Sequence, residues 1–247
     1  MALPTHFLKT LRPFILFTIC FLAPLQVMAE EQLTKEQLNS AIREYLLNNP
    51  EIIVEMQQVL ETKRQQELEE QQKQVLAEKS GALYAAPLQI EFGNPDAKHT
   101  IVEFFDYNCG FCQRALDDMN QLLESRDDVR FVLKEYPVLG EGSFDASRIS
   151  LAVTRIAPDK SQAFHKALLR YPGTKDRQTG LSIAEDLGIE RDEVLTEMEK
   201  PDLVDAIRQV YELADQLGIT GTPSYVVGDQ VIFGAVGYEQ LLAAVGE

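Results

Sequence analysis

The spacing of apolar positions divides this chain into a purely helical beginning and an α/β remainder. Thr34 followed by Gln37 fits a helix N-cap with its capping partner, and a short amphipathic helix follows. A second helix is expected to begin with Asn49 as its N-cap and to continue without interruption to about Lys79. At 1.5 Å per residue it is about 45 Å long.

The second helix carries an apolar stripe that thins toward its end, at Ile53, Met56, Leu60, Leu68 and Val75. A helix of this length with so narrow a stripe has no way to bury itself on one small domain. One interpretation is a solvated linker. The other is an oligomerisation stalk, residues 30–82, whose stripe packs against copies of itself. The heptad pattern is too incomplete to give the number of subunits.

Beyond residue 82 the pattern changes to that of an α/β domain. Apolar runs predict strands at residues 88–92, 100–106 and 129–135, with a helix at about 110–124 between the second and third. The pattern predicts helices throughout residues 143–217, followed by two short strands and a last helix. This order predicts a thioredoxin fold over residues 83–247, interrupted by a helical insertion at about 143–217.

Two of the three cysteines form the stretch Cys109-Gly110-Phe111-Cys112, where the second strand gives way to a helix. A lone pair with this spacing is typical of thiol–disulfide exchange. A helix N-terminus offers unpaired N–H groups and a partial positive charge, which stabilise a thiolate on Cys109. Cys112 lies one turn deeper and can close back onto it.

Two more features belong near this pair. Glu103 precedes Cys109 by six residues in an otherwise apolar strand. It is either exposed at a strand edge or buried beneath the cysteines, where a raised pKa would suit it to exchange protons with the inner thiol. Thr222-Pro223 directly precedes a strand, and taken alone it indicates only a turn.

The first 29 residues predict export. A basic start with Lys9 and Arg12 is followed by an apolar stretch at 14–25 and by small residues that allow cleavage after about Ala29. Twelve apolar residues are short for a membrane-spanning helix, which leaves an uncleaved anchor as the alternative. The third cysteine, Cys20, belongs to this leader. The mature protein is therefore expected in an oxidising, periplasmic compartment.

Charge and histidine content narrow the function further. With 39 acidic against 23 basic residues, the formal net charge of −16 argues against nucleic acid as a partner. His99 and His165 are the only histidines after the leader, too few to complete a zinc site with the cysteines. Both are expected to be ordinary surface residues, and no metal or cofactor is expected. Asp106, three residues before Cys109, is expected to serve local structure or capping, with tuning of the Cys109 thiolate as the alternative.

Three stretches together resemble the DsbA-like thioredoxin-fold proteins, nearest to the periplasmic ScsC (suppressor of copper sensitivity) type. They are Phe104 to Cys112, Glu135 to Gly140, and Gly221-Thr222-Pro223, and the resemblance covers about residues 85–247. The helix start at residues 47–51 also resembles the oligomerisation segment of the ScsC type.

The resemblance implies a role for each matching residue. Cys109 would be the nucleophile, Cys112 the resolving thiol and Glu103 the acid beneath them. Pro223 would be the cis-proline facing the cysteines, with Thr222, Gly110 and Phe111 contacting the substrate. A membrane redox partner is implied as well.

The two residues between the cysteines depart from the oxidase pattern. DsbA-type oxidases usually carry Pro-His there, whereas Gly-Phe with Thr before the proline is closer to oligomeric isomerases and reductases such as DsbC. The sequence therefore predicts an exported homo-oligomeric isomerase or reductase of disulfide-containing proteins. A dithiol oxidase, a Cu(I)-binding protein held by two thiolates, and a holdase without turnover remain as alternatives.

Overall fold

The computed structural model describes residues 33–246. The predicted signal peptide, including Cys20, lies outside the described residues. Within them, no helix is both long enough and apolar enough to cross a membrane.

The first helix, α1 (Lys35–Asn48), begins with the predicted capping box. The Gln37 backbone N–H donates to Thr34 Oγ1 over 3.2 Å, and the Thr34 N–H donates to Gln37 Oε1 over 2.9 Å. Asn49 was expected to cap the next helix, but its side-chain amide donates to the Tyr45 carbonyl instead, over 2.7 Å. It thus satisfies a carbonyl left open at the end of α1. Every residue of α1 is exposed.

Helix α2 (Glu51–Glu78) is continuous, but its two parts have different surroundings. Ile53, Met56 and Leu60 are exposed. The later part packs on the α/β domain, where the Gln72 side chain donates to the Leu217 carbonyl over 2.8 Å and Leu76 is buried.

The prediction that Leu68 and Val75 belong to an oligomerisation seam is therefore wrong. Leu68 lies against Gly218, and Val75 packs on a buried cluster of its own domain. The first part of the apolar stripe is exposed, whereas its later part packs on the α/β domain. Helical spacing alone does not show this difference.

A five-stranded sheet forms the centre of the domain. Its strands are β1 (Ile90–Gly93), β2 (His99–Phe105), β3 (Val129–Glu135), β4 (Ser224–Val227) and β5 (Gln230–Phe233). Their order is β1-β3-β2-β4-β5, and β2 and β3 are parallel while the other pairs are antiparallel. Helix α4 (Gly110–Ser125) makes the crossover from β2 to β3. Strand β2 is thus the central strand, and the chain leaves it directly toward the cysteines.

Helices surround the sheet and fill the connection between β3 and β4. The remaining ones are α3 (Ser80–Tyr84), α5 (Glu141–Ile156), α6 (Ser161–Arg170), α7 (Arg177–Asp186), α8 (Arg191–Met198), α9 (Pro201–Gln216) and α10 (Tyr238–Val245). Helices α5 to α9 form the insertion that the sequence predicted. The predicted fold class, a thioredoxin fold with inserted helices behind an N-terminal helical segment, is confirmed.

Buried side chains cover both faces of the sheet. Along β2, Ile101 and Phe105 join the large cluster shared with α4 and the insertion, whereas Val102 and Phe104 join a smaller cluster with α2, α3 and α9. A strand covered on both faces reads as a continuous apolar run, as β2 does. Because neighbours alternate, Glu103 faces the same side as Ile101 and Phe105, toward α4.

Candidate active site

The loop between β2 and α4 is fixed by Asp106, whose side chain is fully buried. One carboxylate oxygen accepts from the Asn108 N–H over 2.8 Å, and the other accepts from the Leu139 N–H over 2.9 Å. The Asp106 carbonyl also accepts from the Cys109 N–H over 3.1 Å. The expectation that Asp106 serves local structure is confirmed, and the loop delivers Cys109 to the N-cap of α4.

Both cysteines are free thiols, and they differ in surroundings. Cys112 is completely buried, whereas Cys109 is slightly exposed with its Sγ 3.3 Å from the Thr222 carbonyl oxygen. The Cys109 sulfur accepts hydrogen bonds from the Cys112 thiol, from the Thr222 side chain, and from the N–H groups of Cys112 and Phe111 in the first turn of α4. These donors lower the pKa of Cys109 to about 5. Burial, in contrast, raises the pKa of Cys112. At neutral pH the site therefore holds one thiolate beside one thiol.

Glu103 lies in the central strand and is only 4% exposed, which excludes the strand-edge alternative. Burial raises the pKa of its carboxyl to about 8, with further contributions from the charges of Asp118 and Cys109. The Glu103 charge in turn contributes to the raised pKa of Cys112. An acid that changes protonation near neutrality thus lies within electrostatic reach of both cysteines.

The Thr222–Pro223 peptide bond is cis. Thr222 is half-buried and directs its carbonyl to Cys109, while Pro223 is buried and its carbonyl accepts from the Gly234 N–H over 2.9 Å. Gly110 is exposed with open space above it. The chain after α9 therefore returns to the cysteines, as the motif order implied.

The residue between the cysteines that reaches furthest into solvent is Phe111, whose side chain is 55% exposed. The Arg114 guanidinium lies over its ring, 4.4 Å from the centroid. At an exposed site such a cation–π contact stabilises the arrangement by about 0.5–1 kcal/mol. Gly110, Phe111 and Thr222 thus border Cys109 on its exposed side.

Asn108 is a site residue that sequence reasoning missed. Its side-chain amide donates to the Lys175 carbonyl over 2.7 Å and to Ser143 Oγ over 3.0 Å, and its Oδ1 accepts from the Lys175 N–H over 2.8 Å. The residue before the nucleophile is thereby joined to the loop between α6 and α7. These partners are distant in sequence, so no local pattern revealed the contact.

A buried polar cluster lies behind the loop, and it corrects the prediction for His165. This histidine is only 2% exposed, with Nδ1 3.2 Å from the Tyr107 hydroxyl. Burial lowers its pKa to about 3, so the ring is neutral. His165 is buried because α6 lays it against Phe105 and Tyr107, whose ring centroids lie 4.8 and 5.5 Å away. His99 is partly buried at the start of β2.

Glu135 accepts from the Ser147 hydroxyl over 2.7 Å in the same cluster, and burial raises its pKa to about 8. It ends β3, whose apolar residues are also interrupted by Arg130 and Lys134. The signal that drew attention to Glu103, a single acid in an apolar run, is therefore weaker here. Across the described part of the chain, no group of three or more His, Cys, Asp or Glu side chains could hold a metal ion.

Comparison with protein families gives two matches along the chain. Residues 100–246 match the DSBA-like thioredoxin domain, and residues 35–67 match the N-terminal domain of the copper resistance protein ScsC. The first covers the sheet, the insertion and both cysteines, and the second covers α1 and the exposed part of α2.

Individual proteins agree with these matches. The catalytic domain of Proteus mirabilis ScsC is 31% identical, with a TM-score of 0.64 over 70% of this chain and 96% of that chain. A periplasmic thioredoxin-like protein from Salmonella enterica serovar Typhimurium is 28% identical, with a TM-score of 0.61 over 67% of this chain and 92% of that chain. The Bacillus subtilis disulfide bond formation protein D is 26% identical over 62% of this chain and 73% of its own length.

The family match spans more than half of the chain and includes the strand, loop and helix that place the thiolate at Cys109 beside the thiol of Cys112. The chain therefore belongs to the DsbA-like thioredoxin family, preceded by an N-terminal segment of the ScsC kind, and it is a protein thiol–disulfide oxidoreductase.

Proposed function

We propose that this protein is an exported disulfide isomerase and reductase that acts on disulfide-containing proteins in the periplasm. The observation that carries the proposal is the unequal pair of thiols, with the pKa of Cys109 lowered to about 5 and that of buried Cys112 raised. The outer cysteine is ready to attack as a thiolate. The inner one stays protonated until the reaction needs it.

The first step is attack of the Cys109 thiolate on a substrate disulfide. A bond forms between Cys109 Sγ and one substrate sulfur, the substrate S–S bond breaks, and the second substrate sulfur leaves as a thiolate. Isomerisation follows when a thiolate elsewhere in the substrate attacks the sulfur that Cys109 holds. Cys109 is then released as the thiolate, and no net electrons are transferred.

Reduction is the second route from the mixed disulfide. Cys112 gives its proton to the Glu103 carboxylate and attacks Cys109 Sγ, which releases the substrate as a thiolate and leaves a Cys109–Cys112 disulfide. The pKa of about 8 at Glu103 suits it to accept that proton and later to return it. A membrane redox partner would supply the electrons that restore the two thiols.

The surface around Cys109 supports a protein substrate. The Thr222 backbone and the exposed ring of Phe111 border the nucleophile, and Gly110 leaves the approach open. Val138 and Leu139, exposed in the loop that Asp106 anchors, add apolar area on the insertion side. An extended, partly unfolded segment presents backbone groups and apolar side chains together, which this surface can accept.

Assembly through the N-terminal helices is the other half of the proposal. Leu38, Ile42, Ile53, Met56 and Leu60 are large apolar side chains, and all are exposed. Exposed apolar side chains in this number favour burial against another chain. The match of residues 35–67 to the ScsC N-terminal domain supports a homo-oligomer held by this segment. Several thiolates around one client would hold it long enough for its own thiols to re-attack.

Export is supported by the leader at residues 1–29 and by the periplasmic description of the Salmonella relative. In that compartment, an oxidised Cys109–Cys112 pair would make the protein an oxidase. The lowered pKa of Cys109 stabilises the reduced form. It keeps the thiolate available for isomerisation, and it would also make an oxidised pair a strong oxidant, so the redox state that the membrane partner maintains separates the two functions.

The deciding experiment uses the mature protein with scrambled ribonuclease and, in parallel, with reduced ribonuclease. The proposal expects recovery of ribonuclease activity from the scrambled form by the reduced protein, and little disulfide formation in the reduced form. The opposite pattern would assign an oxidase. A Cys112→Ser variant should keep isomerisation and lose reduction, because only the second route uses the Cys112 sulfur.

The contribution of the stalk is tested by Ile53→Glu combined with Leu60→Glu. Both positions are exposed, so the fold should tolerate the changes while charge enters the proposed seam. Sedimentation is expected to show loss of the oligomer, together with loss of isomerisation but retention of simple dithiol exchange. Gln57→Glu, on the same helix at another exposed position, is the matched control. A wild-type protein that sediments as a monomer would refute the stalk.

A further inference from the structure

A cavity of about 450 Å³ opens between the segment that follows α3, strand β3 and helix α9. Its walls are mostly apolar and include Leu88, Leu133, Leu151, Ala206, Val210 and Leu213. The volume falls in the usual range for small-molecule sites, which combine apolar walls with a few fixed polar groups. Nothing in the thiol chemistry uses this cavity.

The fixed polar group is Lys134, which lines the cavity and is only 2% exposed. Its Nζ donates to the Ala82 carbonyl and to Gln89 Oε1, each over 2.7 Å. Both acceptors are neutral, and within residues 33–246 no carboxylate lies within 4 Å of this ammonium group. A buried cation without a counter-ion is costly to the folded protein. Its third N–H is left for another acceptor.

The charged groups around Lys134 are already engaged or lie at the rim. Glu91 on β1 acts on Lys134 through its charge, but it is ion-paired with Arg130 over 3.0 Å. Arg155 on α5, at the rim, pairs with Glu197 and with Asp202.

Two acids complete the titratable groups of the lining. Asp205 on α9 is ion-paired with Arg208, and Glu135 is bound by Ser147 on the far side of β3. Lys134 is thus the charged group of the cavity that has no counter-ion.

We propose that this cavity binds a small aliphatic carboxylate, with its chain against the apolar walls and its head group paired with Lys134. The carboxylate would supply the missing counter-ion and accept the third N–H, and a charge-assisted bond of this kind is strong in a buried site. An aliphatic alcohol of the same length would contact the apolar walls equally well, but its neutral head group could not serve as a counter-ion for Lys134. Charge complementarity therefore selects the acid over the alcohol.

The test compares decanoate with decanol as probes, by calorimetric titration of the reduced mature protein. Decanoate should bind at least about tenfold more tightly at pH 7. Burial lowers the pKa of Lys134 to about 8. Because ligand binding requires the ammonium form, decanoate affinity should fall about tenfold or more between pH 7 and pH 9.5. Binding of decanol should not change over this range.

Lys134→Met removes the charge and should reduce decanoate affinity to that of decanol. Lys73→Met, at an exposed lysine of α2 outside the cavity, should leave it unchanged. The wild-type comparison of acid with alcohol and of the two pH values decides the question even if Lys134→Met fails to fold. Equal affinities for the two probes, or no binding of either, would overturn the proposal. So would a decanoate affinity independent of pH, which would instead assign the head group to Arg155.

Discussion

Replacing Glu103 with glutamine removes a carboxyl group whose pKa burial raises from 4.5 to about 8. The difference of about 3.5 in pKa corresponds to about 5 kcal/mol, at 1.36 kcal/mol per pKa unit. The folded protein holds this proton more tightly than the unfolded chain does. The contribution of Glu103 to stability is therefore fully present below pH 4.5 and is lost as the pH rises toward 8.

Between pH 5 and pH 7 this loss amounts to about 3 kcal/mol in the wild-type protein. Glutamine cannot ionise, so the variant does not lose this stability as the pH rises. The free energy of unfolding of Glu103→Gln, taken relative to wild type, should therefore rise by about 3 kcal/mol from pH 5 to pH 7. Urea unfolding in the presence of reductant measures it. The lowered pKa of Cys109 makes stability rise with pH. This contribution is present in both proteins, so it cancels in the difference between them.

A kinetic measurement tests the chemical role of the same carboxyl group. Release of glutathione from a Cys109–glutathione mixed disulfide requires Cys112 to lose its proton. A positioned proton acceptor typically contributes about 100-fold or more, but with a pKa of about 8 only about a tenth of Glu103 is carboxylate at pH 7. Without Glu103 this step should therefore slow by about tenfold or more at pH 7. Rapid quenching with acid and separation of the released thiol gives the rate.

Glu135→Gln is the matched control, because burial also raises the pKa of Glu135 to about 8 but its partners are Ser147 and Tyr107. It should change the pH dependence of stability and leave glutathione release within about twofold of wild type. Parallel stability curves for wild type and Glu103→Gln would refute the raised pKa. Equal slowing by both variants would refute the assignment of proton transfer to Glu103.

Three further predictions follow from contacts at and near the site. Cys112→Ala removes the thiol donor and should raise the pKa of Cys109 from about 5, whereas Cys112→Ser keeps an O–H donor and should raise it less; thiolate absorbance against pH distinguishes them, and identical titrations would contradict the explanation. Asn108→Ala should cost about 2 kcal/mol of stability and speed amide exchange at Lys175, and Asn108→Asp should cost at least as much because a carboxylate oxygen would face the Lys175 carbonyl in place of the N–H donor; unchanged exchange would show that the Asn108–Lys175 hydrogen bonds are dispensable. Leu76→Ala should cost about 2–4 kcal/mol in urea unfolding, since this side chain is buried in the domain, and a negligible loss would contradict the docking of α2.

The parts of the fold that could be predicted are those whose partners are near in sequence. A run such as Ile101 to Phe105 is apolar because both faces of β2 are covered, and the helix after Cys109 has its own amphipathic pattern. Together they give the β-α-β unit and place the cysteines at its edge. Glu103 was identified for the same reason, since an acid interrupts an apolar run.

The residues that escaped prediction have partners far along the chain. His165 looked like a surface residue on a helix, but Tyr107 and Phe105 bury it from another element. Lys134 is bound by Ala82 and Gln89, about fifty residues earlier. Periodicity identifies which face of an element is buried, and it does not say which polar side chains the tertiary structure will pair there.

Because helix α2 is continuous, the direction of its exposed apolar side chains is fixed relative to the side chains that pack on the domain. Met56 and Leu60 point outward from one part of the helix, while Leu68 and Leu76 are fastened to the domain at another. Each residue inserted between Leu60 and Leu68 would turn the outward pair by about 100° around the helix axis. Seven inserted residues would return it to within about 20°. The polar stretch at residues 61–67 therefore acts as a spacer whose length, more than its composition, sets the direction in which the apolar stripe faces.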